Sequence, residues 1–146
     1  MICAPIYIQA VITGPNLATE ILAGKPATTL LSFTDLNKAN SIRDNFSSKN
    51  FRVYSGDDVV GAEIGGALKN IIAIGAGISD GLSLGDNSKA ALITRGIEET
   101  SRLILASGGK KETAFGLAGI GDMTLTCSSP HSRNMKYGMQ LVQKNT

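Results

Sequence analysis

The strongest constraint on the fold is a change of sequence pattern at Ser55-Gly56-Asp57. Before it, short runs rich in β-branched and aromatic residues predict strands at residues 6–12, 28–33 and 51–54. After it, apolar residues recur at helical spacing and strand signals are almost absent. The chain is therefore predicted to contain an α/β segment, residues 1–56, followed by an all-α segment, residues 57–146.

Residues that favour helix ends mark the helices. Two helices are predicted between the strands, at residues 17–23 and from residue 36. Four more follow in the all-α segment, at residues 58–77, 87–106, 111–118 and 133–143. The predicted N-cap residues are Asn16, Asp35, Asp57 or Asp58, Asp86 or Asn87, and Ser132. The helix at 87–106 is expected to present Ala90, Ala91, Ile93, Thr94, Ile97 and Thr100 to a partner.

The pattern is incomplete at both ends. Three strands are too few for a doubly wound sheet, and no C-cap signal follows the helix at 133–143. We therefore expect this chain to be an interior part of a larger protein, with a domain boundary near residue 56.

Composition excludes several classes of function. A net charge of +2 and the absence of Trp argue against nucleic-acid binding. The apolar run at residues 59–78 contains Glu63 and Lys69, so we expect no membrane span. The N-terminal run lacks the basic region and cleavage site of a signal peptide. Cys3 and Cys127 form no metal or redox motif, which indicates a reduced, cytoplasmic protein without a metal site.

Familiar catalytic motifs are absent from the sequence. Gly75 and Gly77 resemble the start of a dinucleotide fingerprint, but they follow a helical run and Gly81 comes one position late. No P-loop, zinc-protease motif or nucleophile elbow occurs. The single histidine, His131, lies in a polar loop and is predicted to be an ordinary surface residue.

Lys69 stands out because the positions around it on the predicted helix are small and apolar. An ammonium on such a face either extends to solvent or is paired and used for proton transfer, and both interpretations stay open. Glu63 lies on another face and is expected to be solvated. The glycines of this helix either allow close helix packing, which we favour for most of them, or allow backbone to approach a ligand.

A second polar cluster follows Gly121. Asp122 is either a helix cap or part of a polar site. Arg133 and Asn134, at a helix start, are either surface residues or part of a polar site. An arginine there opposes the helix dipole, unless a phosphate binds to the free amides, the guanidinium and the Ser132 hydroxyl.

Taken in order, these segments resemble the NAD(P)-dependent glycerol-3-phosphate dehydrogenase family, and the match covers nearly the whole chain. The matching segments are residues 14–20, 51–54, 65–81, 85–96, 119–127 and 132–134. The combination of Gly-Ala-Leu-Lys-Asn at 66–70 with Gly-Asp-Asn-Ser-Lys-Ala-Ala at 85–91 is specific.

The resemblance implies a fold and a set of site residues. Residues 1–56 would be the C-terminal remnant of a Rossmann-type dinucleotide-binding domain. Residues 57–146 would be a helical substrate-binding and catalytic domain, similar to the C-terminal domain of 6-phosphogluconate dehydrogenase and truncated at its C-terminus. Lys69 would be the general acid/base and Asp122 would orient it or the substrate. The implied substrate-binding residues are Gly14, Asn16, Lys69, Asn70, Asp122, Thr126, Ser132, Arg133 and Asn134. The implied cofactor-binding residues are Ala18 and Arg133.

The implied reaction interconverts sn-glycerol 3-phosphate and dihydroxyacetone phosphate with NAD or NADP, and supplies a glycerophospholipid precursor. The resemblance also implies a cytoplasmic homodimer that binds neither nucleic acid nor membrane. Most of the cofactor site is expected outside this chain, so the chain alone should be inactive. One alternative is a non-catalytic helical module for dimerisation or interaction. Another is a 2- or 3-hydroxyacid dehydrogenase, against which the phosphate site at Arg133-Asn134 argues.

Overall fold

The computed structural model describes residues 10–143. A three-stranded sheet has the order β1-β2-β3, formed by β1 (Ala10–Thr13), β2 (Ala27–Phe33) and β3 (Phe51–Gly56). β1 runs antiparallel to β2, with Ala10 opposite Phe33, and β2 runs parallel to β3, with Ala27 opposite Phe51. The predicted strands are confirmed at these positions, and residues 6–9 of the first prediction lie outside the described residues.

Two helices belong to the sheet. α1 (Ala18–Leu22) connects β1 to β2, and α2 (Leu36–Phe46) is the crossover between the parallel strands β2 and β3. Asp35 caps α2, because its Oδ1 accepts a hydrogen bond of 2.9 Å from the Asn37 amide. The sheet face towards the protein interior is buried, with Leu31 and Val53 at its centre.

From residue 59 to residue 143 the described chain is mainly helical, as predicted. α3 (Val59–Gly81) and α4 (Asp86–Ala106) are long, and α5 (Asp122–Ser128) and α6 (Arg133–Gln143) are short. Between α4 and α5 lie a 3₁₀ turn at Lys111–Phe115 and a π-helical turn at Leu117–Gly121. This combination of a small sheet and a helical domain confirms the predicted fold class.

α3 is the central helix of this domain and packs against α4, α5 and α6. Its length and apolar composition would suffice to cross a membrane, but here Ala73 and Ala76 lie in a core with Ile97, Met123 and Cys127. Asp58 caps α3 through a 2.8 Å hydrogen bond from the Gly61 amide. The helix ends four residues later than predicted, because Gly77 is an interior contact and not a C-cap.

Three further predictions for the helical segment were wrong in detail. The N-cap residue of α4 is Gly85, without a side-chain hydrogen bond, and not Asp86 or Asn87. On α4, Ala90, Ala91 and Thr94 are exposed, and the buried side is formed by Gly96, Ile97, Thr100, Ser101 and Ile104. The predicted stripe and the observed buried stripe both have helical spacing, so the sequence pattern does not distinguish them. The helices that pack against α4 determine which of the two is buried. Residues 111–118 do not form one α-helix. Gly116 has an extended backbone conformation, which interrupts the helix. A Cβ at Gly119 would lie 1.9 Å from the Ala114 carbonyl oxygen, so the backbone is tightly folded at this point.

Candidate active site

Lys69 and Asp122 form an ion pair in the interior of the helical domain. Lys69 projects from the middle of α3, and its Nζ donates to Oδ2 of Asp122, the first residue of α5. The side chain of Asp122 is 4% exposed and that of Lys69 is 23% exposed. Lys69 is therefore paired and does not simply extend to solvent.

The π-helical turn before α5 positions Asp122. A π turn adds a residue to the helical path and so changes the direction of the side chains that follow, and such turns are frequent at functional sites. Thr126, one turn later, donates through Oγ1 to the Asp122 carbonyl at 2.6 Å and reaches Asp122 Oδ1 at 3.4 Å. A buried carboxylate requires such donors, because an unpaired buried charge is very costly.

The ion pair lies at a polar cavity of about 190 Å³. The cavity is enclosed by the loop before α1, by α3, by α5 and by the start of α6. Its lining residues are Asn16, Leu17, Lys69, Asn70, Asp122, Leu125, Thr126, Ser129, His131, Ser132, Arg133 and Asn134. A larger groove of about 560 Å³ lies against the sheet near Leu30 and Tyr54, but it is mainly apolar. The smaller cavity contains the buried ion pair and several convergent polar groups, so it is the candidate site.

One wall of the cavity is the N-terminus of α6. Ser132 is the N-cap residue, since its Oγ accepts from the Met135 amide at 3.2 Å. The side-chain Nδ2 of Asn134 donates to Asn70 Oδ1 at 2.7 Å, and this hydrogen bond joins α6 to α3. Arg133 is exposed and forms no ion pair within residues 10–143, so its guanidinium is free to bind an anion.

The opposite wall is the turn that follows β1. Asn16 donates through Nδ2 to Thr29 Oγ1 at 2.9 Å, while its Oδ1 is buried and has no hydrogen-bond partner. An unpaired buried acceptor at a cavity suits a hydroxyl or amide of a ligand. Gly14 permits the turn, since its φ is 153° and a Cβ there would lie 3.2 Å from Thr29 Cα.

The cavity contains most of the predicted site residues. Eight of them line it, namely Asn16, Lys69, Asn70, Asp122, Thr126, Ser132, Arg133 and Asn134. Gly14 is buried in the preceding turn and does not line the cavity, and Ala18 is exposed at the start of α1, outside the lining.

Sequence reasoning missed other residues of the site. His131 is exposed, as predicted, but it also lines the cavity. Leu17, Leu125 and Ser129 line it as well. Leu17 and Leu125 lie in the matching segments 14–20 and 119–127, which was the available signal, and Ser129 had none. Thr13 donates to Asp122 Oδ2 at 3.4 Å, and its position directly before Gly14 was the available signal.

Cys127 takes no part in this site. It is fully buried, and burial raises the pKa of its thiol to about 11, which suppresses the reactive thiolate. Within residues 10–143, no group of three or more His, Cys, Asp or Glu side chains could hold a metal ion.

Comparison with known proteins identifies one family. The family model described as NAD-dependent glycerol-3-phosphate dehydrogenase C-terminus matches residues 58–146. A glycerol-3-phosphate dehydrogenase [NAD(P)+] of Listeria monocytogenes is 54% identical over 131 residues, which are 90% of this chain and 39% of that protein. One of Clostridium perfringens is 50% identical over 136 residues, 93% of this chain and 41% of that protein.

Solved structures of the same enzyme are similar in fold. Glycerol-3-phosphate dehydrogenase of Coxiella burnetii has a TM-score of 0.88 and 48% identity, and the match covers 92% of this chain and 41% of that one. The enzyme of Saccharomyces cerevisiae has a TM-score of 0.83 at 27% identity, with the same coverage. The chain thus spans about two fifths of the length of these relatives. The matched residues include both partners of the buried ion pair, and this chain belongs to the family of NAD(P)-dependent glycerol-3-phosphate dehydrogenases.

Proposed function

We propose that this chain forms the substrate-binding and proton-transfer part of an enzyme that interconverts sn-glycerol 3-phosphate and dihydroxyacetone phosphate with NAD or NADP. The observation that carries the proposal is the buried Lys69–Asp122 pair at a cavity whose rim holds the free guanidinium of Arg133. The cavity thus combines a proton donor and an anion site.

Lys69 transfers the proton. Reduction of the ketone needs a proton on the C2 oxygen, and the Lys69 ammonium is the donor; in the reverse direction its amine accepts the hydroxyl proton. Asp122 stabilises the ammonium and limits the orientation of Nζ. A dinucleotide, when bound, would supply or accept the hydride at C2. We propose Ala18 and Arg133 as its contacts here, since each is exposed at the start of a helix, next to the cavity-lining residues Leu17 and Ser132.

The start of α6 binds the phosphate. Arg133 can offer two donors of a planar fork, the free amides of the first turn can add further donors, and the Ser132 hydroxyl can donate while its oxygen caps the helix. Asn16, Asn70, Thr126 and Asn134 hold the glycerol hydroxyls, and Gly14 shapes the turn that presents Asn16. Binding of the remote phosphate then orients C2 against Lys69.

The wider role is proposed by analogy with the family. We propose a domain boundary near residue 56, supported by β3 ending at Gly56 and by the family match beginning at residue 58. The complete enzyme is proposed to be a cytoplasmic homodimer that supplies glycerol 3-phosphate for glycerophospholipid synthesis.

A hybrid enzyme tests the proposal. In it, the segment of the Listeria monocytogenes relative that this chain matches is replaced by this chain. The hybrid should oxidise glycerol 3-phosphate, and Lys69→Met should lower kcat about 10²–10⁴-fold without changing KM, the usual effect of losing a positioned acid/base. Lys69→Arg should restore little, because arginine stays protonated.

Lys49→Met is the matched control, since Lys49 is exposed and lies outside the cavity. A folded hybrid without turnover would contradict the proposal and favour a non-catalytic interaction module. Normal kcat in Lys69→Met would remove Lys69 from the chemistry.

A further inference from the structure

The carboxylate of Asp122 receives a donor from the sheet as well as from the helices. Asp122 is 3% exposed, and Oδ2 accepts from Lys69 and, at 3.4 Å, from the hydroxyl of Thr13. Thr126 approaches the other oxygen, Oδ1. Among the described residues, Thr13 at the end of β1 is the one donor to this carboxylate that lies outside the helical domain.

A hydrogen bond from Thr29 holds the backbone of Thr13. Thr29 is fully buried, and its Oγ1 donates to the Thr13 carbonyl at 3.0 Å while accepting from Asn16 Nδ2 at 2.9 Å. Thr29 also lies close to the turn, because a Cβ at Gly14 would be 3.2 Å from Thr29 Cα. The backbone that carries the Thr13 side chain is therefore held in place.

Gly66 leaves the space that this hydroxyl occupies. A Cβ at Gly66 would lie 3.1 Å from Thr13 Oγ1. Gly66 and Lys69 lie three residues apart on α3, so they share a side of the helix. The same side of α3 therefore carries the ammonium and accepts the end of β1.

We propose that Thr13 is a positioning residue for proton transfer. Its hydroxyl holds the Asp122 carboxylate in the orientation that receives the Lys69 ammonium. The Lys69–Asp122 pair is then complete only when β1 is docked on α3, so the sheet contributes to the chemistry of the helical domain. This inference rests on the proposed function.

The hybrid enzyme provides the first test. Thr13→Val keeps the shape of the side chain and removes the donor, and it should lower kcat about tenfold, the effect of losing one hydrogen bond to a charged group, with KM for glycerol 3-phosphate unchanged. Thr13→Ser should restore kcat to within about twofold. Thr100→Val is the control, since it removes a buried hydroxyl that donates to the Gly96 carbonyl at 2.7 Å within α4. It should lower Tm and leave kcat unchanged.

A second variant separates positioning from stability. Gly66→Ala should displace the Thr13 hydroxyl and lower kcat, while Tm stays equal or rises because alanine favours the helix. Gly75→Ala is the matched control on the same helix, where a Cβ would lie 3.2 Å from Leu92 Cδ2. It should leave kcat unchanged.

The results distinguish the positioning role of Thr13 from a purely structural role and from a failure of the proposed function. Normal kcat in Thr13→Val and in Gly66→Ala, beside an inactive Lys69→Met, would overturn the role of Thr13 alone. A loss of kcat that follows a lower Tm and a higher KM, without recovery in Thr13→Ser, would show a structural role and overturn it as well. Normal kcat in Lys69→Met would overturn the proposed function, and this inference with it.

Discussion

The charged residues of the cavity differ in how their charge is compensated. Lys69 and Asp122 neutralise each other in a buried position, and a buried pair contributes little net stability over apolar residues of the same size. Arg133 is exposed at a helix N-terminus, where the dipole disfavours a cation. Stability does not account for either arrangement, and both fit the proposed binding of a phosphate ester whose reacting oxygen meets Lys69.

Arg133→Ala in the hybrid enzyme should raise KM for glycerol 3-phosphate about 10- to 100-fold, the scale of a lost charged hydrogen bond. The slow turnover of unphosphorylated glycerol should be unaffected, because that substrate has no group for the guanidinium to bind. Arg133→Lys should recover part of the loss, and Arg102→Ala on α4 is the control. Steady-state kinetics with both substrates, and with the dinucleotide varied, measures these effects. An equal loss for glycerol would assign Arg133 to the cofactor or the fold.

Among the helices, the contact of α3 with α6 sets the geometry of the site, because α3 carries Lys69 and α6 carries Arg133. The two backbones touch at Gly77 and Gly138. A Cβ at Gly77 would lie 2.0 Å from the Met135 carbonyl oxygen, and one at Gly138 would lie 2.1 Å from the Ile74 carbonyl oxygen. Backbone atoms cannot move aside as a flexible side chain can, so a larger residue must separate the helices.

Gly77→Ala should therefore destabilise the isolated chain by about 3 kcal/mol, the upper range for overpacking. Gly75→Ala, two residues earlier on α3, should be tolerated, because its neighbour is the flexible side chain of Leu92. Urea denaturation followed by circular dichroism measures the free energy of unfolding of both variants. Equal stabilities would contradict the close contact between α3 and α6.

In the molecule as a whole, the candidate site lies where the sheet meets the helical domain. Asn16 reaches the cavity from the loop after β1, and α3, α5 and α6 supply the other lining residues named above. The chain spans about two fifths of its relatives, and its sequence contains no Gly-x-Gly-x-x-Gly turn after a strand. Such a turn holds the pyrophosphate of a dinucleotide at a helix N-terminus.

The isolated chain should consequently show no saturable binding of NADH or NADPH at micromolar concentration. Isothermal titration calorimetry tests this, and the hybrid enzyme, which contains the remaining part of the relative, is the positive control. A stoichiometric, tight isotherm with the isolated chain would show that these residues hold more of the dinucleotide than we propose.

Local sequence patterns were sufficient to predict most of the helices and strands. Neighbouring residues alone determine the strand runs, the caps at Asp35 and Ser132, and the change of pattern near residue 56. These features were therefore predictable from the sequence. Lys69 was conspicuous because a charge on a small apolar face is costly wherever the helix packs. The order of the matching segments predicted the family.

Contacts between distant segments were decided by tertiary packing alone. Which surfaces meet decides the π turn before Asp122, the exposed stripe of α4 and the role of Gly77. The helical spacing of apolar residues would be equally compatible with other packing partners of these helices. Thr13 and Asp122 are 109 residues apart in sequence. No local rule joins a hydroxyl at the end of a strand to a carboxylate in a distant helix, and only the docking of β1 on α3 places the two groups together.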